Sequence, residues 1–106
     1  MRTIFKHLFR QMDSYDIDME TLYRKRAQGA KIIDVRSRRE YLEGHIKGSI
    51  NIPDYEINKK FERIFKDYNQ TIILYCSSGA RSKKVCKKLL KKGYTNIFNL
   101  YGGIEN

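Results

Sequence analysis

TIILYCSSGARSKK, residues 71–84, joins three kinds of chain in one stretch. Thr71 to Tyr75 are β-branched, apolar or aromatic, with no Gly or Pro, as expected of a strand buried on both faces. Cys76 follows, then the small residues Ser77, Ser78, Gly79 and Ala80, and after them Arg81, Ser82 and a basic helical pattern. Parallel α/β sheets build their sites at such strand–loop–helix turns, because the loops at the carboxyl ends of strands open toward the next helix. The stretch therefore sets the fold class and also poses a chemical question. Cys76 is either a small buried filler or a nucleophile held in a loop.

Elements of the same kind lie on both sides. Residues 18–28 form a helix between Asp18 as N-cap and Gly29 as C-cap. KIIDV, 31–35, reads as a buried strand, and Ser37 caps a short helix through Tyr41 and Leu42 that stops at Gly44. GSINIP, 48–53, gives a strand closed by Pro53. Asp54 then caps a helix running to Tyr68, with Ile57, Phe61, Ile64 and Phe65 on one face. A helix from Arg81 to Lys92 ends at Gly93, and NIFNL, 96–100, is the last strand before Gly102 and Gly103. The alternation predicts an α/β fold, a small central parallel sheet of about five strands with helices on both faces.

The chain has 106 residues, room for one domain, which we place at 17–106 behind an N-terminal extension at 1–16. With 41% hydrophobic and 32% charged residues it is globular, not disordered. No apolar run is long enough for a bilayer, and Lys6, His7 and Arg10 interrupt the N-terminal apolar residues, so no secretory signal is expected. The expected location is cytoplasmic. There a Cys76–Cys86 disulfide is disfavoured, and Cys86 falls on a helical stripe with Val85, Leu89 and Leu90, as core filler. The cysteine spacing matches no zinc pattern and both histidines are remote in sequence, so no metal is expected.

The net charge of +10 attracts anions of any kind. Lys83, Lys84, Lys87, Lys88, Lys91 and Lys92 line one helix face, as a solvated surface or as a dock for an acidic protein. Exposed aromatics do not interleave with them, so neither specific nucleic-acid binding nor membrane attachment is expected.

The loop alone allows a buried filler and a reactive Cys76 equally, and physical chemistry says how the second would work. A Ser- and Gly-rich loop can turn its backbone N–H groups inward as a nest for an anion, and the next helix adds its positive end. Both stabilise a thiolate. Gly79 supplies backbone freedom, while Ser77, Ser78 and Ser82 donate hydrogen bonds without bulk.

Two segments carry a family resemblance. IIDVRSRREYLEGHIKGSINIP, 32–53, resembles the Asp-Val-Arg, Glu-Tyr, Gly-His-Ile and Asn-Ile-Pro pattern of single-domain rhodaneses, the thiosulfate sulfurtransferase type. ILYCSSGARSKKVCKKLLKKGYTNIFNLYGG, 73–103, resembles that family's cysteine strand, loop, helix, last strand and Gly-Gly. The resemblance implies that Cys76 takes a sulfane sulfur from a small anionic donor and holds it as a persulfide. A thiol, cyanide or protein acceptor then removes it, and no metal or organic cofactor is needed. It implies a sulfur-binding loop of Ser77, Ser78, Gly79, Ala80, Arg81 and Ser82, with Arg81 donating to the donor's negative charge. Asp34, Arg36 and Glu40 are implied as supports, Arg36 pairing with Glu40, and His45 as a structural residue fixing its turn. Related phosphatases and arsenate reductases use a longer loop between Cys and Arg. Four residues separate Cys76 from Arg81 here, which suits one sulfur atom better than a phosphoryl group. The alternative is a non-catalytic binding module docking an acidic partner. Members of the family usually continue past Gly-Gly into a final helix, whereas GGIEN ends this sequence; either the N-terminal segment or a second subunit covers that face, or the end has been cut.

Overall fold

The structure is a computed structural model that describes residues 12–105. The amphipathic pattern at residues 4–9 lies outside the described residues.

The apolar runs form the strands and the 3.6-residue patterns form the helices. Along the chain these are β1 (Asp16–Ile17), α1 (Met19–Ala27), β2 (Lys31–Asp34), α2 (Arg38–Glu43) and β3 (Ile50–Asn51). A 3-10 turn (Asp54–Glu56) then leads into α3 (Ile57–Ile64), β4 (Ile72–Tyr75), α4 (Ala80–Lys91) and β5 (Ile97–Leu100). The sheet is parallel throughout, in the order β1-β5-β4-β2-β3. β4, the most apolar strand, lies at its centre with all four residues buried.

The two-residue period of β4 divides the core into two layers. Ile72, Leu74 and Cys76 face α3 and α4, meeting Ile57, Phe61, Val85, Cys86 and Leu89. Ile73 and Tyr75 face α1, meeting Leu22, Ile32 and Leu100. Helices on both faces are therefore what the structure has. The α1 face is the thinner, and Met19, Ile46, Phe98 and Ile104 are only partly buried against it. Among the described residues, no helix is long and apolar enough to cross a membrane.

Local signals placed most helix ends. Asp18 accepts from the Thr21 N–H, and Gly29 (φ +103°) lets Ala30 N–H reach the Lys25 carbonyl. Ser37 and Glu40 close a full capping box on α2. The exception is α3. Its sequence pattern predicted one helix from Asp54 to Tyr68, but Asp54 makes no side-chain cap and the helix ends at Ile64. Phe65 turns extended so that its ring enters the core, and Tyr94 Oη captures its carbonyl at 2.7 Å. Ile64, expected on the apolar face, is half exposed.

Candidate active site

Cys76 follows the last residue of β4 and is completely buried. Gly79 lies in the left-handed region (φ +95°) and is the N-cap of α4, a conformation that favours glycine. The turn aims two backbone N–H groups at the sulfur. Gly79 N–H donates to Sγ at 3.1 Å and Ser82 N–H at 3.4 Å, while Ser82 Oγ lies 3.3 Å away. With the positive end of α4 beside it, the sulfur occupies a place where negative charge is stabilised. Of the expected loop, Ser77 to Ser82, the N–H groups of Gly79 and Ser82 reach the sulfur, whereas Ala80 N–H donates to Ser78 Oγ at 3.4 Å.

The back of the loop is sealed by the end of the chain. Ile104 N–H donates to the Cys76 carbonyl at 3.1 Å, and Glu105 N–H to the Ser77 carbonyl at 3.0 Å. The loop thus keeps its carbonyls on the tail and its N–H groups on the sulfur. This explains Gly103, where a Cβ would lie 2.2 Å from the Ser77 carbonyl oxygen. A Cβ on Gly79 would meet Gly102 N at 3.1 Å.

Arg81 closes the loop sideways. Its guanidinium grips Glu40 bidentately at 2.8 and 2.9 Å, and Ser77 Oγ donates to the same carboxylate at 3.3 Å. Glu40 is also the capping-box acid of α2, so one carboxylate fastens the loop to that helix. The Arg81 guanidinium, helped by the Ser37 bonds and opposed by burial, holds the carboxyl well below the usual carboxylate range. The expected Arg36–Glu40 pair is not formed. Arg36 pairs with Asp34, whose Oδ2 accepts from Nη2 at 2.8 Å, because Asp34 is fully buried two residues away and that charge needs a partner. Nη2 also donates to the Gly44 carbonyl at 2.6 Å, fixing the turn after α2. His45 lies in that turn, exposed, with Nδ1 2.8 Å from the Tyr41 carbonyl and its ring stacked on Tyr41. It bonds its own turn and not the cysteine loop.

Cys86 is buried in the core, and that burial pushes its thiol far up from the ordinary value. The lysine face divides. Lys83 bridges Asp13 at 2.9 Å and Asp16 at 3.3 Å, and Lys92 reaches Glu62 at 3.1 Å. Lys84, Lys87, Lys88 and Lys91 are exposed.

Sequence reading missed Asp16 and Asn99. Both are buried, and they join β1 and β5 to the cysteine loop through Ser82. The available signal was a polar Asn99 within the otherwise apolar pattern of its strand.

A model of the rhodanese-like domain matches residues 18–106. The chain is similar to a sulfurtransferase of Allochromatium vinosum, 34% identical over 91 residues, covering 84% of this chain and 83% of that protein. It is also similar to the thiosulfate sulfurtransferase PspE of Escherichia coli, 35% identical with 70% of each chain covered. Among solved structures, a rhodanese-related protein from Thermoplasma volcanium superimposes with a TM-score of 0.74 at 31% identity, covering 85% of this chain and 86% of that one.

Proposed function

Because the chain belongs to the rhodanese-like domain family, we propose that it is a sulfurtransferase that carries sulfur on Cys76. The Cys76 thiolate attacks the outer sulfur of a donor such as thiosulfate. A sulfur–sulfur bond forms, the bond within thiosulfate breaks, and sulfite leaves with the electron pair. Cyanide, a thiolate or a protein thiol then attacks the outer sulfur of the persulfide, and Cys76 leaves as thiolate. Both steps balance with no metal or organic cofactor.

The observation that carries this reading is the fully buried sulfur at the start of α4, with two backbone N–H groups directed at it. Such a nest serves a thiolate and a persulfide anion equally well. Ser77, Ser78 and Ala80 border it, and Arg81 with Glu40 keeps it closed. Asp34 and Arg36 hold the neighbouring strand end. The short loop speaks against phosphoryl transfer. Lys84, Lys87, Lys88 and Lys91 fit an acidic protein as one acceptor, steered by charge and weakened by salt.

Intact-mass spectrometry of the reduced protein after brief exposure to thiosulfate tests the reading. The expected result is a gain of one sulfur atom that survives Cys86→Ser and disappears with Cys76→Ser. No gain from thiosulfate, polysulfide or mercaptopyruvate would sink it.

A further inference from the structure

Behind the cysteine runs a chain of buried polar groups that sulfur transfer as written does not use. Ser82 Oγ lies 3.3 Å from Cys76 Sγ and donates to Asn99 Oδ1 at 2.5 Å. Asn99 Nδ2 donates to Asp16 Oδ1 at 2.9 Å. Asp16 Oδ2 accepts from Asp13 N–H at 2.7 Å and from Lys83 Nζ at 3.3 Å. Ser82, Asn99 and Asp16 are 0%, 1% and 8% exposed. Groups buried this deeply are costly unless paired, so each bond in the chain has a direction that its neighbours enforce.

Asp16 is the fixed end. Turning the Asn99 amide over would set its oxygen against the Asp16 carboxylate, so Nδ2 stays on Asp16 and Oδ1 stays toward Ser82. The Ser82 hydroxyl has one hydrogen and three acceptors within reach, namely Asn99 Oδ1, the Gly79 carbonyl at 3.3 Å and Sγ. The shortest contact is to Asn99. While the hydrogen points there, Ser82 shows the sulfur only oxygen lone pairs, which suit an S–H donor and repel a thiolate or a persulfide. The chain is not a proton wire, because an amide carbonyl is not a base at neutral pH.

We infer that Asn99, oriented by Asp16, is a positioning residue that competes with Cys76 for the single hydrogen of Ser82. With the sulfur as a thiol, Asn99 holds the hydrogen. When the sulfur becomes anionic, the hydroxyl turns to it, because a charge-assisted bond outweighs a neutral one. The Asn99 contact therefore works against loss of the thiol proton to solvent, and once that proton has gone the same hydroxyl stabilises the sulfur anion. The charged and titratable groups facing this unit are Asp16 on β1, Asp13 and Tyr15 before it, Lys83, Lys87 and Arg81 on α4, and the Cys86 thiol. This inference rests on Cys76 being the reactive sulfur, but its test does not require any sulfur donor.

The test is the pH dependence of iodoacetamide alkylation at Cys76, read by peptide mass spectrometry. Trypsin leaves Cys76 and Cys86 on separate peptides, since Arg81, Lys83 and Lys84 lie between them. Asn99→Leu keeps the shape of the side chain and removes the acceptor, and Asn99→Ala serves if the leucine variant does not fold. Each is crossed with Ser82→Ala. With Ser82 present, loss of Asn99 should move the alkylation midpoint down by about one pH unit, a rate gain of about tenfold below the midpoint. With Ser82→Ala the shift should vanish. An equal shift in both backgrounds, no shift, or an upward shift would overturn the inference. None of these results bears on persulfide formation, which the mass gain from thiosulfate tests separately.

Discussion

Replacing Gly103 by alanine tests whether the chain's own end holds the cysteine loop in shape. The backbone at Gly103 has φ +68°, which costs an L-residue about 1 kcal/mol. The added Cβ would lie 2.2 Å from the Ser77 carbonyl oxygen and 2.5 Å from that of Cys76, both rigid backbone atoms. Relief requires the tail to lift by close to an ångström, which breaks the bonds from Ile104 and Glu105 to those carbonyls. Two such bonds contribute about 1 kcal/mol each, so the total is about 3 kcal/mol. For a domain of this size that lowers Tm by about 12–24 °C. Gly48→Ala is the control. Gly48 has φ +85° and nothing within 4 Å of its Cβ position, so only the backbone cost remains. That control should lose about 1 kcal/mol, or about 4–8 °C. Scanning calorimetry measures both variants. Sulfur loading from thiosulfate should slow about 100-fold in Gly103→Ala, since a loop released from the tail no longer holds its N–H groups correctly on the sulfur. It should be unchanged in Gly48→Ala. Equal Tm losses in the two variants, with normal loading in both, would refute the role given to the tail.

Two further outcomes follow from other contacts. Glu40→Gln leaves the Arg81 guanidinium without its anion and should cost about 1 kcal/mol at pH 7, a modest figure because the pair is about one-third exposed. Arg81 holds the Glu40 carboxyl below its ordinary value of 4.5, so its contribution is complete above that pH and is lost as pH falls through the folded value. The Tm gap between wild type and Glu40→Gln should accordingly narrow on acidification below about pH 4. Tyr75→Phe removes the buried hydroxyl that accepts from Ile46 N–H at 3.0 Å and meets Ser49 Oγ at 3.2 Å. The stranded N–H should cost about 1–3 kcal/mol in urea denaturation with an unchanged m-value, whereas a cost near zero would mean that water replaces the phenol.

The strands from β2 onward were legible because their residues form apolar runs bounded by glycine, proline or polar turns. The strand-to-helix turn that carries Cys76, Gly79 and Arg81 was legible because an apolar run gives way there to small residues and then to a helical pattern. What escaped has two physical causes. β1 is two residues long, and DI carries no periodicity, so only its pairing with β5 identifies it. The other cause is long-range choice. Arg36 had two carboxylates within plausible reach, and burial of Asp34 decided between them. Asn99 and Asp16 stand 83 positions apart, a separation over which no local pattern speaks. The early end of α3 is of the same kind, since the core's demand for Phe65 overrode helical propensity.

The tail under the loop also has a consequence in time. A ribosome delivers Cys76 well before Gly103, Ile104 and Glu105, so the emerging loop has its cysteine but not the partners of its two carbonyls. β5, which carries Asn99, also comes late. Cys76 is thus made early, and the residues that complete its surroundings follow it. A nascent chain stalled before Gly103 would hold Cys76 in a loop whose two carbonyls still lack their partners.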